Sequence, residues 1–185
     1  LEIANPSIRI IGFSASPYRT GHGLITDKPA IFDGIVEPVS IIKLVHDGYL
    51  SPLRSKLTKL TLDTSGVKKR GGDYVESALQ AAVNTTDNNA RALREILAHG
   101  ADRRSWLIFC TGVDHAEVML DMVRSAGVTC ECVTGQTPKP ERQRILEQFK
   151  AGRIQALTNC NVLTTGFDAP GIDLIAMRQV LEIIE

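Results

Sequence analysis

Trp106-Leu107-Ile108-Phe109-Cys110 is an unbroken apolar run. A strand covered on both faces reads this way, whereas a half-exposed strand alternates. Working outward, the chain alternates strands with helices. Thr111 with Asp114 reads as the cap of a helix whose apolar face is Ala116, Met119, Leu120 and Val123, closed by Gly127. Residues 128–134 read as the next strand, and 138–151 as a helix with Ile145, Leu146 and Phe149 inward and Gly152 at its end. Residues 154–158 and 172–177 read as two further strands. Upstream, Ala90, Leu93, Ile96 and Leu97 mark one helical face ended by Gly100. Val75, Ala78, Leu79 and Ala82 mark another, with Asp73 and Glu76 as its capping pair. This alternation predicts a mainly parallel α/β sheet with right-handed crossovers.

The first third is less regular. Residues 8–13 read as a buried strand that breaks at Ser14-Ala15-Ser16-Pro17, and 20–33 as a connector. A short strand is expected at 35–36, a short helix over 38–48 ended by Gly48, and a strand over 53–62. Residues 64–72 form a polar loop whose Lys68-Lys69-Arg70 reads as solvated.

Composition narrows the function. The 185 residues are 43% hydrophobic and 23% charged, enough for a packed core. The formal net charge of zero argues against a strongly basic, free-standing nucleic-acid binder but allows a local phosphate groove. No apolar run is long enough for a membrane span, and no secretory signal is read at Leu1-Glu2-Ile3-Ala4-Asn5. Cys110, Cys130, Cys132 and Cys160 form no CxxC pair; they read as buried free thiols of a cytoplasmic protein, with Cys130 and Cys132 on one face of a strand. His22, His46, His99 and His115 are scattered, and no metal site is expected.

Ligands of such sheets bind beyond the carboxyl ends of the strands. Four loops occupy that position: Ser14 to Arg19, Cys110-Thr111-Gly112, Thr134-Gly135-Gln136-Thr137, and Leu163 to Pro170. All are built of small hydroxyl residues and glycine, which offer N–H groups and hydroxyls to an anion. Asp168 is the acid among them, better suited to sugar hydroxyls than to phosphates.

These loops carry a resemblance. Gly12-Phe13-Ser14-Ala15-Ser16-Pro17-Tyr18-Arg19 resembles motif III of superfamily 2 helicases, and residues 106–111 resemble motif IV. Thr134-Gly135 with Arg142 and Phe149 is similar to the segment between motifs IV and V. Asn161-Val162-Leu163-Thr164-Thr165-Gly166-Phe167-Asp168-Ala169-Pro170 resembles motif V, the most specific match. Together with Asp47-Gly48-Tyr49-Leu50, they are similar to the DEAD/DEAH-like branch with type III restriction subunits and RadD-like DNA repair helicases.

The resemblance implies a RecA-like (P-loop NTPase-type) second helicase lobe, with helices on both faces of the sheet. It implies that residues 1–33 are the end of the first lobe plus a connector, and 34–185 the C-terminal lobe. Ser14 and Ser16 would couple nucleotide state to strand grip; Gly166 and Asp168 would face the nucleotide; Thr111, Gly135 and Thr164 would contact nucleic acid. The implied partners are DNA, with RNA as the alternative, and the first lobe of the same protein. The implied cofactors of the whole protein are ATP and Mg2+, neither held stably by this piece. A P-loop fails at Gly66 to Asp73, which lacks the lysine and hydroxyl, and no Asp-Glu dipeptide supplies an acidic box. Arg178-Gln179-Val180-Leu181-Glu182 does not match the arginine-bearing motif VI. No complete catalytic set is therefore expected here. The competing expectation is a RecA-like binding module without chemistry.

Overall fold

The computed structural model describes residues 9–14, 18–19, 23–27, 32–36, 39–57, 65–70, 73–164, 167–177 and 182–184. Contacts divide the chain into two compact units, Leu1–Pro52 and Leu53–Glu185.

In the first unit, β1 (Tyr18–Arg19) and β2 (Gly23–Leu24) form a small antiparallel hairpin. The helix α1 (Ile41–His46) begins where the Ser40 side chain accepts the Lys43 N–H, 3.1 Å. Gly48, at φ +78°, ends that turn as expected, in a conformation glycine adopts without strain. The buried strand expected over 8–13 is corrected. Residues 9–14 are in no strand, and Ile11 and Phe13 are 80% and 98% exposed. Residues 35–36 form no strand either.

The second unit is the α/β body. After β3 (Ser55–Leu57), a hairpin of β4 (Lys69–Arg70) and β5 (Asp73–Tyr74) leads into α2 (Glu76–Val83) and α3 (Thr86–Gly100). Asp73 thus belongs to the hairpin, and the N-cap of α2 is Val75, which makes no side-chain cap, in place of the expected Asp73–Glu76 pair. Next come β6 (Trp106–Phe109), α4 (Val113–Ser125), β7 (Cys130–Val133), α5 (Lys139–Lys150), β8 (Ala156–Asn159), β9 (Leu174–Met177) and β10 (Glu182–Ile184).

The six-stranded sheet has the order β3-β10-β9-β6-β8-β7. β7, β8, β6 and β9 run parallel, in register at Val133, Asn159, Phe109 and Met177. β10 pairs antiparallel with both β9 and β3. Helices cover both faces, as expected. Ile96 of α3 and Met119 and Val123 of α4 pack with Trp106, Ile108, Ala156 and Leu174 on one side. Ile145 and Phe149 of α5 pack with Leu107, Val133 and Leu157 on the other. Alternate residues of β6 serve opposite faces, which is why its sequence is continuously apolar.

Gly100 ends α3 against the Trp106 ring, with no room for a Cβ. The four cysteines are free thiols. Cys130 and Cys132 face the α4 side together, and burial pushes the Cys130 thiol up to about 12 and Cys132 upward. No helix among the described residues is long and apolar enough to cross a membrane.

Candidate ligand edge of the parallel sheet

The common register of Phe109, Val133 and Asn159 brings three loops out of one edge of the sheet: 110–112 after β6, 134–137 after β7, and 160–170 after β8. Thr111, Gly135, Thr164 and Asp168 therefore all sit in loops that leave the same edge of the sheet. Gly135, Thr164 and Asp168 are exposed. Ser14 is exposed in the first unit, whereas Ser16 and Gly166 lie outside the described residues.

Thr111 sits differently. It is buried, and its hydroxyl lies 2.9 Å from Nδ1 of the fully buried His115. The Thr111 N–H also donates to that nitrogen, 3.2 Å. Nδ1 is thus the acceptor, and the ring proton belongs on Nε2. The expected Thr111–Asp114 cap is corrected: Gly112 is the N-cap of α4, and Thr111 is turned inward to His115. Asp114 instead accepts from Gln80 Nε2 of α2, 3.1 Å, and the Gln80 side chain lies across Gly112 where a Cβ would stand.

The loop after β7 is held by its own polar groups. Thr134 N–H donates to Thr137 Oγ1, 2.9 Å, and Gln136 N–H to Thr134 Oγ1, 3.2 Å. Arg142 of α5 donates to the Thr134 carbonyl, 2.8 Å. The loop after β8 is pinned by apolar side chains: Val162, Leu163 and Phe167 pack on the α5-side core, and Lys150 lies 5.4 Å from the Phe167 ring centre. Asn161 and Leu163 have φ of 51° and 62°, a region non-glycine residues enter at a cost.

A groove of about 410 Å³ opens beside β7 and reaches Thr134 and Thr137. Glu117, Asp121, Glu131 and Glu141 line it with Arg124. Arg124 is already engaged, at 3.1 Å from Glu131 and donating to the Cys130 carbonyl at 2.9 Å. Four carboxylates against one committed guanidinium repel phosphate, so the groove is no path for a nucleic-acid backbone.

The family model described as "Helicase conserved C-terminal domain" matches residues 88–180, from α3 through the ligand-edge loops. The chain belongs to the helicase C-terminal domain family. It is a C-terminal lobe of the superfamily 2 type. It is 30% identical to IRC3 of Saccharomyces cerevisiae, whose name describes an ATP-dependent helicase, over 94% of this chain and 25% of that protein. It is 26% identical to the mitochondrial irc3 of Schizosaccharomyces pombe, over 94% of this chain and 28% of that one. The chain thus spans about a quarter of these curated relatives. Among solved structures, it is similar to the C-terminal domain of S. cerevisiae Dbp5, 25% identical, with TM-score 0.44 over 49% of this chain and 51% of that one.

Sequence reasoning found the loops of this helicase lobe but missed two residues that hold them, His115 and Asn159. Both are buried polar groups. Their one sequence signal is a polar side chain placed where the apolar pattern calls for a core residue. Among the described residues no group of three or more His, Cys, Asp or Glu side chains could hold a metal ion.

Proposed function

We propose that this chain is the second motor lobe of an ATP-dependent helicase or translocase acting on DNA. The observation that carries the reading is the single loop after β8, which bears both Thr164 and Asp168, exposed, at the edge where the loops after β6 and β7 also emerge. In this reading Asp168 and Gly166 face the nucleotide's ribose, while Gly135 and Thr164 offer an N–H and a hydroxyl to the strand's phosphates. Thr111 acts through its loop, because its hydroxyl is turned to His115. Ser14 and Ser16 couple the two lobes from the end of the first, with residues 1–33 belonging to that lobe and its connector.

ATP use follows from the relatives' names. Magnesium and the phosphate cradle belong to the first lobe, since neither a P-loop nor an acidic box is present in this sequence. DNA is preferred over RNA on the motif V resemblance to DNA repair helicases. Four free thiols suit a reducing compartment, which the cytoplasm supplies.

The test is phosphate release by the full-length protein with and without single-stranded DNA or RNA. Strand-stimulated turnover is expected there, DNA acting better than RNA, and none from this chain alone. A full-length protein that binds strand without hydrolysing ATP establishes the binding-module alternative instead.

A further inference from the structure

The last residue of β8, Asn159, is polar, has no exposed surface and lies between β6 and β7, one strand in from the sheet's edge. It grips β6 twice. Its main-chain carbonyl accepts the Cys110 N–H, 2.8 Å, and its side-chain Nδ2 donates to the Ile108 carbonyl, 3.1 Å. The two bonds bracket Phe109, the residue in register with it, immediately before the 110–112 loop. On the other side, Asn159 is the last ladder residue before the loop of Thr164 and Asp168. One side chain therefore ties together the roots of the two loops that the motor reading assigns to strand and nucleotide.

Its remaining polar atom, Oδ1, is buried and accepts no hydrogen bond from the described residues. The amide cannot simply be reversed, because its oxygen would then stand 3.1 Å from the Ile108 carbonyl oxygen, two acceptors face to face. A buried carbonyl without a donor is unfavourable and calls for an explanation. The neighbouring loop offers one. It contains two non-glycine residues in the left-handed region, Asn161 and Leu163, within four positions of Asn159. Strained backbone beside an unused acceptor describes a loop with a second arrangement available to it.

We propose that Asn159 is a positioning residue that couples the loop after β8 to the 110–112 loop, its Oδ1 serving as acceptor for a main-chain N–H within 161–164 when ligands bind. The inference rests on the motor reading. Asn159 touches neither ligand. It transmits, because any shift of the β8 root is passed to β6 through two hydrogen bonds, and because the ligand-bound loop gains a bond that the free loop lacks. A water seated on Oδ1 in every state would satisfy the atom equally well but would not respond to ligands.

The experiment uses the full-length enzyme and its Asn159→Leu and Asn159→Asp variants. The readout is a coupling factor: the ratio of single-stranded DNA dissociation constants without and with a non-hydrolysable ATP analogue. It is measured where circular dichroism shows each variant fully folded, because an analogue that binds the folded state also draws unfolded molecules back to it. Asn159→Leu removes both polar atoms at similar shape, and the coupling factor is expected to fall about fivefold or more, the low end of ordinary coupling between sites. In Asn159→Asp the ionised acid cannot donate to Ile108, whereas the protonated acid reproduces one donor and one acceptor. Its coupling is expected to recover as pH falls, a profile the parent lacks. Unchanged coupling in folded Asn159→Leu overturns the proposal. Should that variant fail to fold, a flat pH profile in Asn159→Asp overturns it. A parent enzyme whose ATP turnover does not respond to strand overturns the motor reading and this inference with it, an outcome distinct from both.

Discussion

His115 and Thr111 show how one buried pair can set a loop. Removing the imidazole leaves both the Thr111 N–H and its hydroxyl without their acceptor and opens a cavity in the α4 layer. His115→Ala is therefore expected to lower unfolding free energy by about 3 kcal/mol, whereas Thr111→Val, which keeps the N–H bond, should cost about 1 kcal/mol. Urea titration of the two variants separates them; equal losses would mean that the hydroxyl, not the main chain, carries the pairing. The exposed residues call for kinetics instead. Asp168→Ala in the full-length enzyme should raise the KM for ATP about tenfold, the size of one lost charged hydrogen bond. Thr164→Ala should chiefly reduce stimulation by the strand. Identical kinetic damage in both, in step with a falling melting temperature, would reduce both residues to turn formers. That Gly135, Thr164 and Asp168 stand in loops beyond strand ends was legible in the sequence, because small and hydroxyl residues after apolar runs mark such ends. The inward turn of Thr111 was not, since it depends on α4 starting at Val113 and so placing His115 beneath it.

The helices and strands from Trp106 to Met177 were readable for a physical reason: a sheet covered on both faces leaves continuous apolar runs, and helices leave a 3.6-residue period. The same logic misread residues 8–13. An apolar run records a preference for burial but does not name the neighbour that would complete a ladder, and residues 9–14 are in no strand. β10 escaped because pairing between Glu182–Ile184 and Ser55–Leu57 is non-local and leaves no periodic trace. The start of α4 illustrates a third limit. No side chain caps it; Gln80 of α2, thirty-four positions before Asp114, lies over the N-cap Gly112 and is bonded to the Asp114 carboxylate. This arrangement predicts a non-additive cycle. Gly112→Ala must push the Gln80 side chain aside and lose the Asp114 bond, for about 1–2 kcal/mol, while in a Gln80→Ala background it should cost little. Chemical denaturation of the four proteins checks it, and simple additivity would refute the overlap.

At the scale of the whole lobe, the buried thiols make stability depend on pH on the alkaline side. Cys130 has an ordinary value of 9.0 and a folded value of about 12. Below pH 9 both states keep the proton and the contribution is fully present. As pH climbs from 9 toward 12, the unfolded chain releases its proton first, so folding stability falls. The slope cannot exceed about 1.4 kcal/mol per pH unit for this one group. Urea midpoints at several alkaline pH values should show a steeper decline for the parent than for Cys130→Ala, because other alkaline groups titrate in both; parallel declines would show that the thiol is not the cause. The sheet order has a consequence for synthesis on the ribosome. Among the described residues, Ser55–Leu57 pairs in this sheet with Glu182–Ile184 alone, since β3 stands at its outer end. At about 5–20 residues per second, translation of the intervening segment takes on the order of ten seconds. For nearly all of that interval the nascent β3 has no sheet partner of its own, and the parallel centre is itself being made, its last strand ending at Met177, five residues before β10 begins. A growing chain therefore meets its chaperones with an early strand waiting on the last one to be made.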